Sequence, residues 1–272
     1  MVGVAAAAAL APLISVPGAA AAAGARLGTV RVPSVHVAGL RNTNQSNNWS
    51  GYNIGNEYPG IPTGTVFTQV SGGWVVPTAK QHTSGQAEYS ASWVGIGGGC
   101  VTDNCSITDS TLIQAGTSQD IASNGKASYY SWYELIPKTS VETSLAVSPG
   151  NKVDVSIQET APATWKIDID NVTTGKSWTK TVTYTSSMDT AEWIEETPLV
   201  LGARPDLGIA HLPTLGTVHF GAATLNGQNA DLQTIDEMQL VSGGQVLATP
   251  SGPNPKANGF NDCTYATSCA AP

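Results

Sequence analysis

The feature that most restricts this chain is an alternation of apolar and polar residues with a period of two, uninterrupted by any convincing amphipathic helix after residue 25. In residues 152–158, Val153, Val155 and Ile157 alternate with Lys152, Asp154, Ser156 and Gln158. In residues 164–170, Trp165, Ile167 and Ile169 alternate with Lys166, Asp168 and Asp170. Successive side chains of a strand point to opposite faces, so each segment predicts a strand with one face on a core and one in water. Turn signals separate such segments at Asn124-Gly125, Pro149-Gly150, Thr174-Gly175 and Asn226-Gly227. Many strands with short connections and no intervening helices predict an all-β antiparallel sandwich or barrel.

Charge narrows the function classes. Asp, Glu, Lys and Arg make up 12% of the 272 residues, about half the usual share of about 25%. The net charge is −8. A nucleic-acid backbone is held by clustered Lys and Arg, so that class of partner is excluded. A hydrophobic content of 41% excludes wholesale disorder.

The two ends differ from the middle. Residues 1–25 carry no charged side chain, are interrupted by Pro12 and Pro17, and end in small residues with A-x-A sites at Ala21-Ala22-Ala23 and Ala23-Gly24-Ala25. This predicts a secretory signal peptide, although no Lys or Arg precedes the apolar run. A membrane anchor fits less well, because the prolines and weakly hydrophobic alanines oppose a stable span. Residues 26–47 bring Arg26, Arg31 and Arg41 and no acid. The remainder holds all 20 acids and nine of the 12 bases, a net of −11. The cationic segment is therefore either a short propeptide held partly by charge or a solvated linker. The main domain is expected over residues 48–249, and residues 250–272 read as an irregular Pro/Gly-rich tail.

The four cysteines form two local pairs, Cys100/Cys105 and Cys263/Cys269. In an exported chain these predict two small disulfide loops. Zinc is the competing reading, but C-x4-C and C-x5-C are loose spacings for it. The four histidines (His36, His82, His211, His219) are also scattered.

Several catalytic signatures are missing: H-E-x-x-H, G-x-S-x-G, the P-loop, the dinucleotide fingerprint and the paired D-[ST]-G of aspartic proteases. The glycine-rich GIGGGC at residues 95–100 follows a strand in a chain without helices, so it has no helix N-terminus with which to hold a phosphate. What remains is a crowd of carboxylates in Ala191-Glu192-Trp193-Ile194-Glu195-Glu196. On a strand, Glu192, Ile194 and Glu196 share one face, and Trp193 and Glu195 the other. A carboxyl on an apolar face has its pKa raised, which suits acid–base work. An exposed edge strand whose charges deter aggregation is the bland alternative. A second segment, Leu112-Ile113-Gln114-Ala115-Gly116, sets an amide in an apolar strand, where it either satisfies buried backbone or donates to an oxyanion.

Taken in order, six segments resemble the eqolisins, the glutamic peptidases. They are Asn48-Trp49-Ser50-Gly51-Tyr52, Gly73-Trp74-Val75-Val76-Pro77, Ser92-Trp93-Val94-Gly95-Ile96, the segment around Gln114, Ser131-Trp132-Tyr133-Glu134, and the segment from Ala191 to Glu196. The resemblance implies a lectin-like (concanavalin-type) sandwich of two antiparallel sheets. It also implies a catalytic pair formed by Gln114 and Glu196, with no metal and no cofactor. Glu196 would serve as general base and then acid, and Gln114 would position the water and stabilise the oxyanion. Trp49, Trp93, Trp132 and Tyr133 match cleft aromatics, and Glu134 and Glu192 match carboxylates beside the cleft. The implied partners are polypeptide substrates and the chain's own propeptide, on a secreted monomer that needs neither nucleic acid nor membrane.

Three positions depart from the family's pattern. Gly97 stands where family members often carry an acid, Tyr130 where some carry Asp, and Thr197 follows Glu196 where Asp is common. Two rivals use the same architecture. One is a glycoside hydrolase with paired Glu on one strand face; the midpoint residue Ile194, where such enzymes carry Asp, counts against it. The other is a carbohydrate-binding module with exposed Trp.

Overall fold

The computed structural model describes residues 30–32, 45–201 and 207–272. The signal-peptide expectation at residues 1–25 and most of the cationic segment lie outside the described residues. Thirteen strands carry the architecture: β1 (Trp49–Gly55), β2 (Gln69–Val75), β3 (Ala91–Gly97), β4 (Leu112–Ile121), β5 (Ala127–Leu135), β6 (Lys152–Ala161), β7 (Thr164–Asn171), β8 (Lys176–Thr183), β9 (Thr190–Glu196), β10 (Thr217–Leu225), β11 (Glu237–Ser242), β12 (Gln245–Pro250) and β13 (Phe260–Thr264). Among the described residues there is no α-helix, only a 3-10 turn at Thr234–Asp236.

These strands form two antiparallel layers. The back sheet runs β8-β7-β6-β2-β10-β13-β12-β11, and the site sheet runs β11-β1-β9-β3-β4-β5, ending on the short strand Val141–Glu142. Strand β11 belongs to both, pairing β12 on one side and β1 on the other. The predicted turns fall between strands: Asn124-Gly125 joins β4 to β5 and Thr174-Gly175 joins β7 to β8.

The core fills the space between the layers. Tyr52, Val94, Ala115 and Trp193 of the site sheet face Val70, Trp74, Val155, Ile157, Trp165, Ile167, Phe220 and Phe260 of the back sheet. A fully buried side chain of this size contributes about 1.5–3 kcal/mol. Two indoles tie the layers together in opposite directions. Trp193 donates to the Ser71 carbonyl at 2.7 Å and Trp74 to the Thr117 hydroxyl at 2.9 Å. Indole nitrogens this deep need such partners.

The strands of the two layers differ in their burial. In β6 and β7 burial alternates as the sequence predicts. In β1, β3, β4 and β9 every residue is buried. Their outer face carries a second apolar cluster of Trp49, Ala91, Trp93, Cys100, Leu112, Trp132, Ile194 and Met238.

Both cysteine pairs are bonded, Cys100 to Cys105 and Cys263 to Cys269. Two boundaries move. The sandwich begins before residue 48, because Gln45–Ser46 pairs in parallel with β11 and the Ser46 hydroxyl accepts from the Asn48 and Trp49 amides. The tail also contributes a strand. Strand β13 lies between β10 and β12, with Phe260 fully buried, so residues 250–272 are not simply irregular.

Candidate active site

The outer face of the site sheet is organised in rows, because residues paired across antiparallel strands point the same way. One row reads Asn53, Glu192, Gly95, Gln114, Glu134. The next reads Gly51, Ile194, Trp93, Gly116, Trp132, and the third Trp49, Glu196, Ala91, Ser118, Tyr130. Gln114 and Glu196 therefore share one face and flank the Trp93 row from opposite sides. Their rows are four residues apart along β3, about 13 Å at the usual strand rise.

Each of the two polar groups is oriented by a neighbour. The Gln114 amide nitrogen donates to Glu134 Oε2 at 2.6 Å. This fixes the amide, leaving Oε1 buried with no hydrogen-bond partner among the described residues. The Trp93 indole nitrogen donates to Glu196 Oε2 at 3.0 Å. Trp93 in turn meets Trp49 edge-on, with centroids 4.9 Å apart. Trp49 and Trp93 are fully buried and Trp132 nearly so, so these three build the floor beneath the polar groups.

Two expected site residues lie elsewhere. Tyr133 faces the interior and stacks on Trp178 with centroids 5.4 Å apart. Adjacent strand residues point opposite ways, so Trp132 and Tyr133 cannot both line one cleft. Glu192 is on the correct face but is fully enclosed. The Trp93 ring occupies the space above Gly95, where an added Cβ would lie 2.8 Å from Cζ3, and so separates Glu192 from Gln114. Burial pushes the Glu192 carboxyl well above its usual range, the Thr190 hydroxyl offsetting this in part and Asp109 adding to it. Glu195 faces the interior, where it accepts from the Ser92 hydroxyl at 2.6 Å.

The sequence reading overlooked Asp120. It is 8% exposed, two residues beyond Ser118 of the third row and on the same face, and accepts from the Tyr130 hydroxyl at 2.9 Å. The register set by the Asn124-Gly125 turn, which places Ser118 opposite Tyr130, was the available signal. Among the described residues, no three His, Cys, Asp or Glu side chains converge in a manner that could hold a metal ion.

The sequence pattern of the Peptidase A4 family matches residues 47–256. The chain belongs to this family. Aspergillopepsin-2 of Aspergillus niger is 29% identical over 180 residues, covering 58% of this chain and 58% of its own length. Scytalidopepsin B of Scytalidium lignicola is 28% identical over 141 residues, covering 52% and 46%. The chain thus spans about half the length of these relatives. Among solved structures, scytalido-glutamic peptidase with a transition state analog inhibitor superposes with a TM-score of 0.61 at 22% identity, covering 81% of this chain and 98% of that one. Aspergilloglutamic peptidase from Aspergillus niger gives 0.50 at 25% identity, covering 66% and 99%. The Peptidase A4 sandwich is therefore the fold of this chain.

In this family member, Gly97 has a backbone reason to lack a side chain. Its φ is +94°, and an added Cβ would lie 2.2 Å from the Thr111 carbonyl oxygen. The Tyr130 phenol reaches the Asp120 carboxylate of the neighbouring strand.

Proposed function

We propose that this chain is a secreted endopeptidase that hydrolyses peptide bonds with Glu196 and Gln114, without metal or cofactor. The observation that carries the reading is the fixed orientation of Gln114. Because Glu134 takes one hydrogen of its amide nitrogen, the second N–H and the unpartnered Oε1 are left to act on a reacting group.

A substrate peptide unit lies over the Trp93 row, between the amide and the carboxyl. Glu196, held by the Trp93 indole, takes a proton from water as the water oxygen bonds to the scissile carbonyl carbon. Gln114 Oε1 accepts from the same water and so aims it, and the free N–H donates to the oxygen that becomes negative. The tetrahedral intermediate then collapses. Glu196 returns its proton to the nitrogen as the C–N bond breaks, and is again a carboxylate.

Export follows from the signal-like residues 1–25 and from two disulfides, which persist in oxidising compartments. The cationic segment is read as a leader attracted to the acidic domain, and acidification weakens that attraction by protonating carboxylates. A fully active enzyme that keeps its leader would contradict this part of the reading.

The test is digestion of a denatured protein from acidic to neutral pH with pepstatin, a chelator and a serine-protease inhibitor, alongside Gln114→Ala. Acid-side cleavage that survives all three inhibitors and falls at least about 100-fold in a well-folded Gln114→Ala supports the reading. Cleavage stopped by the chelator, or unaffected by the substitution, overturns it.

A further inference from the structure

Three residues beyond Glu196 the chain leaves the site sheet as a small ribbon. Leu199–Leu201 pairs antiparallel with Leu207–Ile209, with Val200 opposite Gly208. Leu199 and Val200 are half-buried and Ile209 is 38% exposed, so the ribbon lies at the surface rather than in the core, three residues along the chain from Glu196. A two-stranded ribbon alone is marginal in water, and its open edge is a row of unpaired N–H and C=O groups.

In this structure that edge is occupied by the cationic leader. Val30–Val32 pairs antiparallel with it, Val30 opposite Leu201, Arg31 opposite Val200 and Val32 opposite Leu199. Between Glu196 and the ribbon, the Thr197 amide donates to the Asn48 carbonyl at 2.8 Å. Chain from the N-terminal side therefore meets β9's continuation through backbone contacts just beyond Glu196. Backbone pairing selects for an extended conformation and is nearly indifferent to side-chain identity. Any extended polypeptide can make the pairing that residues 30–32 make.

We propose that the edge of Leu199–Leu201 is the docking strand for the substrate main chain, and that leader residues 30–32 occupy the substrate's place on it. This rests on the peptidase reading given above. Polarity follows from the register. The leader runs from Leu201 toward Leu199, hence toward Glu196, so a substrate bound the same way arrives with its C-terminal direction pointing at the catalytic carboxyl. The edge therefore holds residues on the N-terminal side of the scissile bond. A folded protein offers few free extended segments, so the edge favours unfolded substrates.

The experiment uses the acid-treated full chain and a quenched peptide with one cleaved bond, N-methylated at one backbone position at a time. N-methylation removes a donor and blocks close approach of a neighbouring strand. Methylation N-terminal to the cleaved bond is expected to lower kcat/KM at least about tenfold at alternate positions, with little effect at more distant C-terminal positions. Leu199→Pro, which removes an N–H from the edge because Pro198 and Val200 face the ribbon partner instead, should raise KM for the unmodified peptide and abolish the sensitivity to methylation. Sensitivity confined to the C-terminal side, or unchanged in Leu199→Pro, would overturn the proposal. If Leu199→Pro fails to fold, the methylation scan alone decides.

If the wild type cleaves nothing, it is the peptidase reading that fails. The docking edge is then judged by adding a labelled peptide of residues 26–34 to a chain whose own strand is disabled by Val32→Pro. Binding that N-methylation at Val30 or Val32 weakens about tenfold, and methylation at Arg31 does not, supports the edge. Absence of binding overturns it.

Discussion

The indole of Trp93 touches both halves of the site, its nitrogen holding Glu196 at 3.0 Å and its ring filling the space above Gly95. A hydrogen bond to an ionised group contributes about 1.5–3 kcal/mol. Trp93→Phe keeps an aromatic plane but removes the donor, so kcat should fall about 10- to 100-fold with KM nearly unchanged. Steady-state kinetics on a short peptide checks this; a change confined to KM would mean the indole serves only as floor. The period of two placed Glu192, Ile194 and Glu196 on one face without knowledge of the fold, whereas the pairing of Gln114 with Glu196 was carried by the family resemblance alone. The same rule places Tyr133 opposite Trp132, and there it overrides the family resemblance. Asp120 was not legible as a motif, because it meets Tyr130 only through the hairpin register.

At the scale of elements, β6 and β7 were legible as strands because water covers one face of each. Strands β1, β3, β4 and β9 show no such alternation in burial, since both of their faces are covered. Strand β13 was hidden by the prolines and glycines around it, and the pairing of residues 30–32 has no sequence signal beyond Val-Arg-Val. The end of β3 explains one departure from the family's pattern. Gly97→Asp does not restore a missing acid; it forces a side chain onto a positive φ and into the Thr111 carbonyl. A left-handed conformation costs a non-glycine residue about 1–2 kcal/mol before the clash is counted. The variant should melt lower by several degrees and gain no activity. Thermal unfolding beside wild type is the check, and an unchanged Tm would contradict the steric account.

The whole molecule is built to hold protons. Burial raises Asp262 and Asp236 from the usual 3.8 to about 7, with the Ser50 hydroxyl and the Gln233 amide offsetting it only in part. Glu192 is raised as well. The unfolded chain releases these protons near the ordinary carboxylate range, whereas the folded chain keeps them to higher pH. Stability from these groups is therefore complete below about pH 4 and is lost as pH rises toward about 7. Tm should fall across that window, and Asp262→Asn should flatten the slope, since an amide carries no proton to lose. A Tm that rises from acidic to neutral pH would contradict this account.

The central claim is that Glu196 moves the proton in the chemical step. The most direct measurement is kcat of a folded Glu196→Gln on the quenched peptide, with Kd for an uncleavable analogue measured in parallel. General acid–base catalysis contributes about 10²- to 10⁴-fold. The account predicts a loss of kcat in or beyond that range, with Kd changed by less than about threefold. A variant that keeps a tenth or more of wild-type kcat would contradict it.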